Sequence, residues 1–285
     1  MRNLKMENQT ENYTVLVNSC DAFEDCWNPF FTLFCKYWPD FSAPILLNTE
    51  TKSWFFEGLD LKCTQVQLGD HKRLSWSDCL IKALDQVKTP LVLYFQEDYF
   101  IHQTVDSALI QKACEYMYEH PGVQRIALTR HSGPGPFEKG PEDWLKTVSR
   151  NARYRISTQA CLWRVENLKS YLKNVENGWM FEIFGTWRSH KRNDLFLVAS
   201  STEEPIEPAI DYLHTGIIKG QWHSGMKNVF SENKINIDFQ KRGFHVPQKG
   251  IKRKVAVIRK LSENRSHALK ELYLRFGSFE FLSRE

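Results

Sequence analysis

The sequence predicts an α/β domain: a mostly parallel sheet flanked by helices, followed by a basic C-terminal tail. Three observations carry this reading. Apolar runs of strand length alternate with segments of helical spacing, the pattern of a parallel sheet with crossover helices. Pro90-Leu-Val-Leu-Tyr-Phe95 is apolar on both faces, as a strand covered on both sides must be. A chain of 285 residues, 42% apolar and 13% aromatic, has the material for one large core.

Tyr13-Thr-Val-Leu-Val-Asn18 is a short apolar run that reads as the first buried strand. Asn28-Pro29 places an N-cap residue and an N1 proline ahead of Phe30, Phe31, Leu33, Phe34 and Tyr37. With Pro39 as a stop, this predicts a helix over about 29–38. Ala43–Asn48 and Cys63–Leu68 read as strands, and Ser75–Leu84 as a helix through the spacing of Leu80, Ile81 and Leu84. The strand Pro90–Phe95 runs into Gln96-Glu97-Asp98. Thr104 then caps a helix that ends at His120-Pro121-Gly122, and Val123–Leu128 supplies another strand. His131-Ser-Gly-Pro-Gly-Pro136 is a loop, read either as an active-site flap or as a surface connector. Helices over about 164–175 and 179–190, a strand Leu195–Ala199 and the segment Asp211–His223 follow. In such sheets ligands sit beyond the carboxyl ends of the strands.

These elements divide the chain into a flexible N-terminus (1–12), a domain (13–230) and a basic extension (231–285). From Lys241 to Arg275, eleven lysines and arginines stand against two acids. Over the whole chain the charge is only +4, with a pI near 8.6, so nucleic acid is not an expected partner. The seven cysteines contain no C-x-x-C, which argues against a disulfide framework or a zinc knuckle and for a reducing compartment. The N-terminus is polar and lacks the apolar stretch of a secretory signal, so the sequons at Asn8 and Asn12 read as chance. The expectation is a cytoplasmic protein, with possible peripheral attachment at the inner face of a membrane.

Glu97-Asp98 is the sharpest chemical signal. Two adjacent carboxylates at the mouth of a buried strand are costly unless solvent or a cation compensates them. A hard cation such as Mn2+ or Mg2+, bound by one or two carboxylates and by substrate phosphates, is one compensator. A solvated acidic turn is the other reading.

The stretch Leu74–Leu84, then Leu91–Phe100, resembles the donor-binding half of bacterial GT-A glycosyltransferases. Together with Cys20-Asp21-Ala22-Phe23 and Phe181-Glu182-Ile183-Phe184-Gly185, the likeness points to enzymes of surface-polysaccharide and lipopolysaccharide assembly and covers about residues 13–225. The family shows an aspartate pair where this chain has Gln96-Glu97-Asp98. The resemblance implies a GT-A-like (Rossmann-like) fold, a nucleoside-diphosphate sugar donor, a glycan or lipid-linked glycan acceptor, and Mn2+ or Mg2+ as cofactor.

On matching positions, the resemblance puts Asn18 and Asp21 in the loop that holds the nucleotide; an ordinary Asx turn is the alternative. It puts Trp76, Ser77 and Lys82 near the diphosphate, although Lys82 also reads as a surface lysine. Glu97 and Asp98 fall at the metal and donor, and His214 and His223 in a segment that closes over the diphosphate, where single histidines are otherwise structural. Arg130 and His131 face the same cleft, unless Arg130 pairs with a surface acid. The catalytic base falls in the region of Glu182. An inverting transfer needs a carboxylate to take the acceptor proton, and aromatic surroundings raise the pKa of this one. A carboxylate serving a helix N-terminus is the alternative, with Asp211 and Asp143 as the next candidate bases.

Two other functions stay open. A sugar nucleotidyltransferase would show a Gly-rich, basic N-terminal loop, which Asn18–Trp27 lacks. A non-catalytic glycan-binding module would use Trp76, Trp144, Trp179 and Trp222 as stacking platforms. The tail reads as a solvated charged face or as an element drawn to anionic lipid, with Val255–Ile258, Leu269, Leu272, Tyr273 and Phe276 interleaved among its cations.

Overall fold

The computed structural model describes residues 12–69, 72–200, 207–247 and 265–276. Nine strands form one sheet in the order β3-β2-β1-β4-β8-β5-β9-β7-β6. On one side, β1 (Tyr13–Asn18) lies parallel between β2 (Ile45–Asn48) and β4 (Leu91–Gln96), and β3 (Leu61–Cys63) extends the edge. On the other, β5 (Val123–Ala127) runs parallel to β9 (Leu195–Ala199). A hairpin of β6 (Phe137–Lys139) and β7 (Leu145–Val148) closes that edge. Between the halves, β8 (Cys161–Arg164) is antiparallel to both β4 and β5.

Only β7 and β8 run against the rest, so the mostly parallel sheet of the sequence is a mixed one with helices on both faces. Neither reversed strand is legible in the sequence. β8 has four residues and passes directly into a helix, so its apolar run cannot be told from a helix start.

Strand β4 shows why the core has two layers. Leu91, Leu93 and Phe95 pack with α1 (Glu24–Tyr37) and α3 (Ser107–Glu119). Val92 and Tyr94 pack with α2 (Trp76–Leu84), α4 (Val165–Tyr171) and α5 (Gly178–Ser189). Some expected bounds shift. α1 starts at Glu24 and carries Pro29 inside it, rather than beginning there. Asp106, not Thr104, caps α3 by accepting from Leu109 N. Strand β3 ends at Cys63, where the expected strand begins, and Gln65 at φ 48° turns the chain away. α2 has a full capping box between Ser75 and Asp78.

The short hairpin β10 (Ile217–Ile218) and β11 (Gln221–Trp222) leads into α6 (Met226–Glu232). Residues from Ala209 to Phe244 pack on the α1/α3 layer, with Trp222 fully buried among Phe100, Phe230 and Phe239. Arg242 pairs with Asp25 of α1 and donates to the Ala22 carbonyl at 2.8 Å. The boundary expected at residue 230 therefore falls inside α6, and the following residues to about 244 belong to the core. The last described helix, α7 (Arg265–Phe276), packs on α5 through Ala268, Met180 and Phe184. Residues 1–11, which hold the Asn8 sequon, and the basic run with Val255–Ile258 lie outside the described residues. Among the described residues no helix is long and apolar enough to cross a membrane.

Candidate active site

A cavity of about 680 Å³ opens beyond the carboxyl ends of β4 and β5, beside the start of β8. Its lining includes Gln96, Tyr99, His131, Gln159, Glu182 and His214. Around its polar lining, the Tyr99 and Tyr212 rings stack with centroids 4.7 Å apart. Tyr212 donates its hydroxyl to Gln159 Oε1 (3.0 Å) and accepts from Ala160 N (2.9 Å). Gln159 Nε2 donates to the Tyr99 hydroxyl at 3.1 Å. Such a closed network fixes its members before any ligand arrives. One wall is the Gly/Pro loop, through His131, Gly133 and Pro134. Another is the β10–β11 hairpin, whose two-residue turn puts Lys219 (φ 52°) and Gly220 (φ 80°) in the left-handed region that tight hairpins need.

Glu182 projects from α5 into this space. Its Oε1 accepts from the backbone N and the hydroxyl of Thr158, both at 2.9 Å. Burial raises its pKa above the ordinary glutamate range, against the lowering effect of the Thr158 bonds and of Arg125. Arg125 is itself fully buried and donates to Ser157 Oγ at 3.1 Å and the Arg155 carbonyl at 3.2 Å. His214 meets His131 edge to face at 5.3 Å. Desolvation, then His131 and His223, lower its pKa.

The acidic pair divides. Asp98 Oδ2 accepts from the Thr215 hydroxyl (2.5 Å) and from Ile217 N (2.9 Å), and its carbonyl accepts from Gly216 N (2.9 Å). Asp98 thus ties the 214–217 wall to the end of β4. Gly216 permits this approach: a Cβ there would lie 2.4 Å from the Phe100 ring and 2.8 Å from the Asp98 carbonyl. Glu97 lies in the electrostatic reach of Cys20, Cys26, Asp25 and Arg242 around the start of α1. Burial, then the Asp98 charge, hold Glu97 well above its usual pKa. Burial raises Asp98 too, against the bonds from Thr215 and Ile217. The Cys20 thiol is pushed up to about 11, by burial and then by Glu97.

The four nominated metal ligands do not assemble. Among the described residues, the one group of three His, Cys, Asp or Glu whose ligand atoms lie within 4.8 Å of one another is Glu176, His267 and Glu271, at the α5–α7 contact. Glu97, Asp98, His214 and His223 form no such group, and His223 Nδ1 accepts from Gly225 N at 3.1 Å. What does fit a cation is Asp98 Oδ1, a buried carboxylate oxygen with no hydrogen-bond partner. This donor set suits a hard cation completed by ligand oxygens, not an all-protein cage.

The remaining nominated residues make contacts within the fold. Asn18 is buried, donates to the Tyr94 hydroxyl (3.1 Å) and accepts from Asn48 Nδ2 (2.8 Å), joining the ends of β1, β2 and β4. Asp21 holds the next loop by accepting from Glu50 N (2.9 Å), Thr51 N (3.0 Å) and the Thr51 hydroxyl (2.6 Å). Burial would raise its pKa, but these bonds lower it overall. Trp76 packs on Phe181 at 5.7 Å, Ser77 N donates to the Glu176 carbonyl at 3.2 Å, and Lys82 Nζ donates to the Val66 carbonyl at 3.3 Å. Arg130 grips Asp211 in two bonds of 2.9 Å, a buried acid and not the surface acid expected as its alternative, and this occupies Asp211 as well. Asp143 is exposed on the loop before β7. One cavity therefore gathers Glu182, His131 and His214 but not the others. Tyr99, Thr158 and Gln159 have no signal in the sequence, because the reversed strand that brings the last two to the cavity was itself not visible.

No protein-family model matches the chain, and no curated protein sequence matches it. Solved structures are similar to it. S. aureus TarS 1-349 in complex with UDP-GlcNAc aligns over 81% of this chain and 69% of its own, with 13% identity and a TM-score of 0.45. The same TarS 1-349 without that ligand aligns over 67% and 58%, with 15% identity and a TM-score of 0.44. The alignment spans 35% of a longer TarS chain. Glucosyl-3-phosphoglycerate synthase from Mycobacterium tuberculosis, in complex with Mn2+ and uridine-diphosphate-glucose, aligns over 67% and 68%, with 10% identity and a TM-score of 0.41. The TarS 1-349 and synthase alignments all have TM-scores below 0.5 and identities of 15% or less.

Proposed function

We propose that this chain transfers a sugar, with inversion, from a nucleoside-diphosphate sugar to a hydroxyl of a glycan or lipid-linked glycan. The observation that carries the reading is Glu182: one oxygen fixed by Thr158, the carboxyl raised in pKa, and both set in a large cavity at the strand ends. A base held in place on one oxygen keeps the other for the acceptor hydroxyl. As the anomeric carbon bond to the diphosphate breaks, Glu182 takes the hydroxyl proton and the new glycosidic bond forms on the opposite face. Mn2+ or Mg2+, when bound, neutralises charge on the departing diphosphate. Asp98 Oδ1 is the protein oxygen suited to hold it, and Lys219 at the hairpin tip adds a cation to the cavity wall.

The glycan-binding module is less well supported. Trp222 is fully buried, Trp144 packs on Tyr116 and Trp76 on Phe181, so of the four proposed platforms only Trp179 lines the cavity. Calorimetric titration of UDP and GDP into the full chain, with and without Mn2+, tests the reading. Metal-dependent binding of a nucleoside diphosphate is expected. Metal-independent binding removes the cofactor, and absence of any nucleotide binding removes the transferase in favour of the binding module.

A further inference from the structure

A second cavity, of about 330 Å³, adjoins Glu182. Glu182 and Tyr154 line both cavities and so mark the divide between them. Tyr154 holds φ 52°, a left-handed conformation that a tyrosine keeps only where its surroundings impose it, and such positions gather at functional sites. Ile183 and Trp187, one helical turn apart on α5, give the second cavity an apolar and aromatic wall. Asn151, Arg153 and His190 give it a polar rim. Arg153 makes no hydrogen bond or ion pair among the described residues, and the lining contains no acid other than Glu182. A second guanidinium stands close by, since Arg150 Nε donates to the His190 carbonyl at 2.6 Å.

A base that activates an acceptor must reach the acceptor hydroxyl, whose oxygen must in turn reach the donor's anomeric carbon, so the acceptor and donor sites have to meet at the base. Two cavities meeting at one carboxylate meet that requirement. The larger lies at the strand ends, where this class of sheet receives nucleotides, which leaves the smaller for the acceptor. An indole wall suits the apolar face of a sugar ring. An unpaired guanidinium suits a carboxylate or phosphate, which it grips through two parallel bonds. We infer that the second cavity is the acceptor subsite and that its ligand is an acidic sugar, with the anionic group held by Arg153. The inference rests on the role assigned to Glu182 above.

Calorimetric titration of the full chain with methyl glucuronide, glucose 6-phosphate and methyl glucoside tests it, with UDP titrated separately. At least one acidic sugar should bind about ten-fold or more tighter than the neutral one. Whether glucuronide or phosphosugar is preferred identifies the anionic group. Arg153→Gln should abolish the preference and leave UDP affinity unchanged, Arg153→Lys should restore part of it, and Trp187→Ala should weaken all three sugars. Equal binding of charged and neutral sugars, no binding of any, or a preference that survives Arg153→Gln overturns the inference even when UDP binds normally. Loss of UDP binding with the acidic-sugar preference intact overturns the transferase reading instead.

Discussion

At the scale of single residues, the half-buried Glu182 and the buried Glu97 both have raised pKa values, yet their surroundings assign them different work. Glu182 faces a cavity and is oriented by Thr158. Glu182→Gln keeps size and cannot accept a proton. It should leave nucleotide affinity intact and lower turnover by about 10²–10⁴-fold. The acidic limb of the rate profile, which in the parent should lie above the ordinary glutamate range because burial raises this carboxyl, should vanish with it. Weakened UDP binding with an unchanged profile would mean that Glu182 is structural. Glu97 lies against Asp98 and the start of α1. Because its pKa is higher folded than unfolded, the folded state binds more protons between the two values, and stability falls as pH rises through that window. In chelator-treated buffer, Glu97→Gln should therefore raise the melting temperature at neutral pH. The gain should disappear below the ordinary glutamate range. A variant less stable than the parent at neutral pH would show that the charge is compensated in the fold.

At the scale of elements, the cavity depends on short pieces of irregular chain held by the ends of regular ones. The 214–217 wall is fixed by Asp98 at the end of β4, and its close approach requires glycine at 216. Gly216→Ala should force the wall off Phe100 and cost about 1–3 kcal/mol of stability, an overpacking penalty read by denaturant titration. Nucleotide affinity should fall with it. An unchanged midpoint and affinity would mean that the wall yields freely. The span of α2 was legible from the spacing of Leu80, Ile81 and Leu84, while its capping box between Ser75 and Asp78 was not read from the sequence. The start of α1 was misplaced: Asn28-Pro29 resembles a helix start, but packing of Cys26 and Trp27 into the core draws the helix back to Glu24.

At the scale of the whole molecule, the C-terminal region is part folded core and part docked helix. Arg188 bridges Glu176 (2.7 Å) and Glu271 (3.2 Å), and His267 Nε2 reaches Glu176 at 2.9 Å, joining α7 to the helix that carries Glu182. The guanidinium already compensates these acids, which is why that cluster reads as a fastening and not a metal site. Truncation after residue 247 should lower the melting temperature, leave the Glu176–Arg188 pair and UDP binding in place, and reduce salt-sensitive binding to anionic vesicles if the basic segment is a membrane-surface element. A parent chain that does not bind such vesicles would assign the segment to packing alone.

The sequence by itself determined the alternation of strands and helices, the two-sided burial of β4, the strand-end location of Glu97-Asp98, and Glu182 as a lone acid among aromatic neighbours, because each is written in local periodicity or adjacency. The tertiary structure alone decided which of these residues meet. Reversed strand β8 brings Thr158 and Gln159 beside Tyr99 and Tyr212, and Thr158 then orients Glu182 across 24 positions of sequence. It also assigned Asp21 to a neighbouring loop, Arg130 to Asp211, and Asp98 to the wall of the cavity. Hydrogen-bond partners are chosen by distance in space, and spacing along the chain carries no record of that choice.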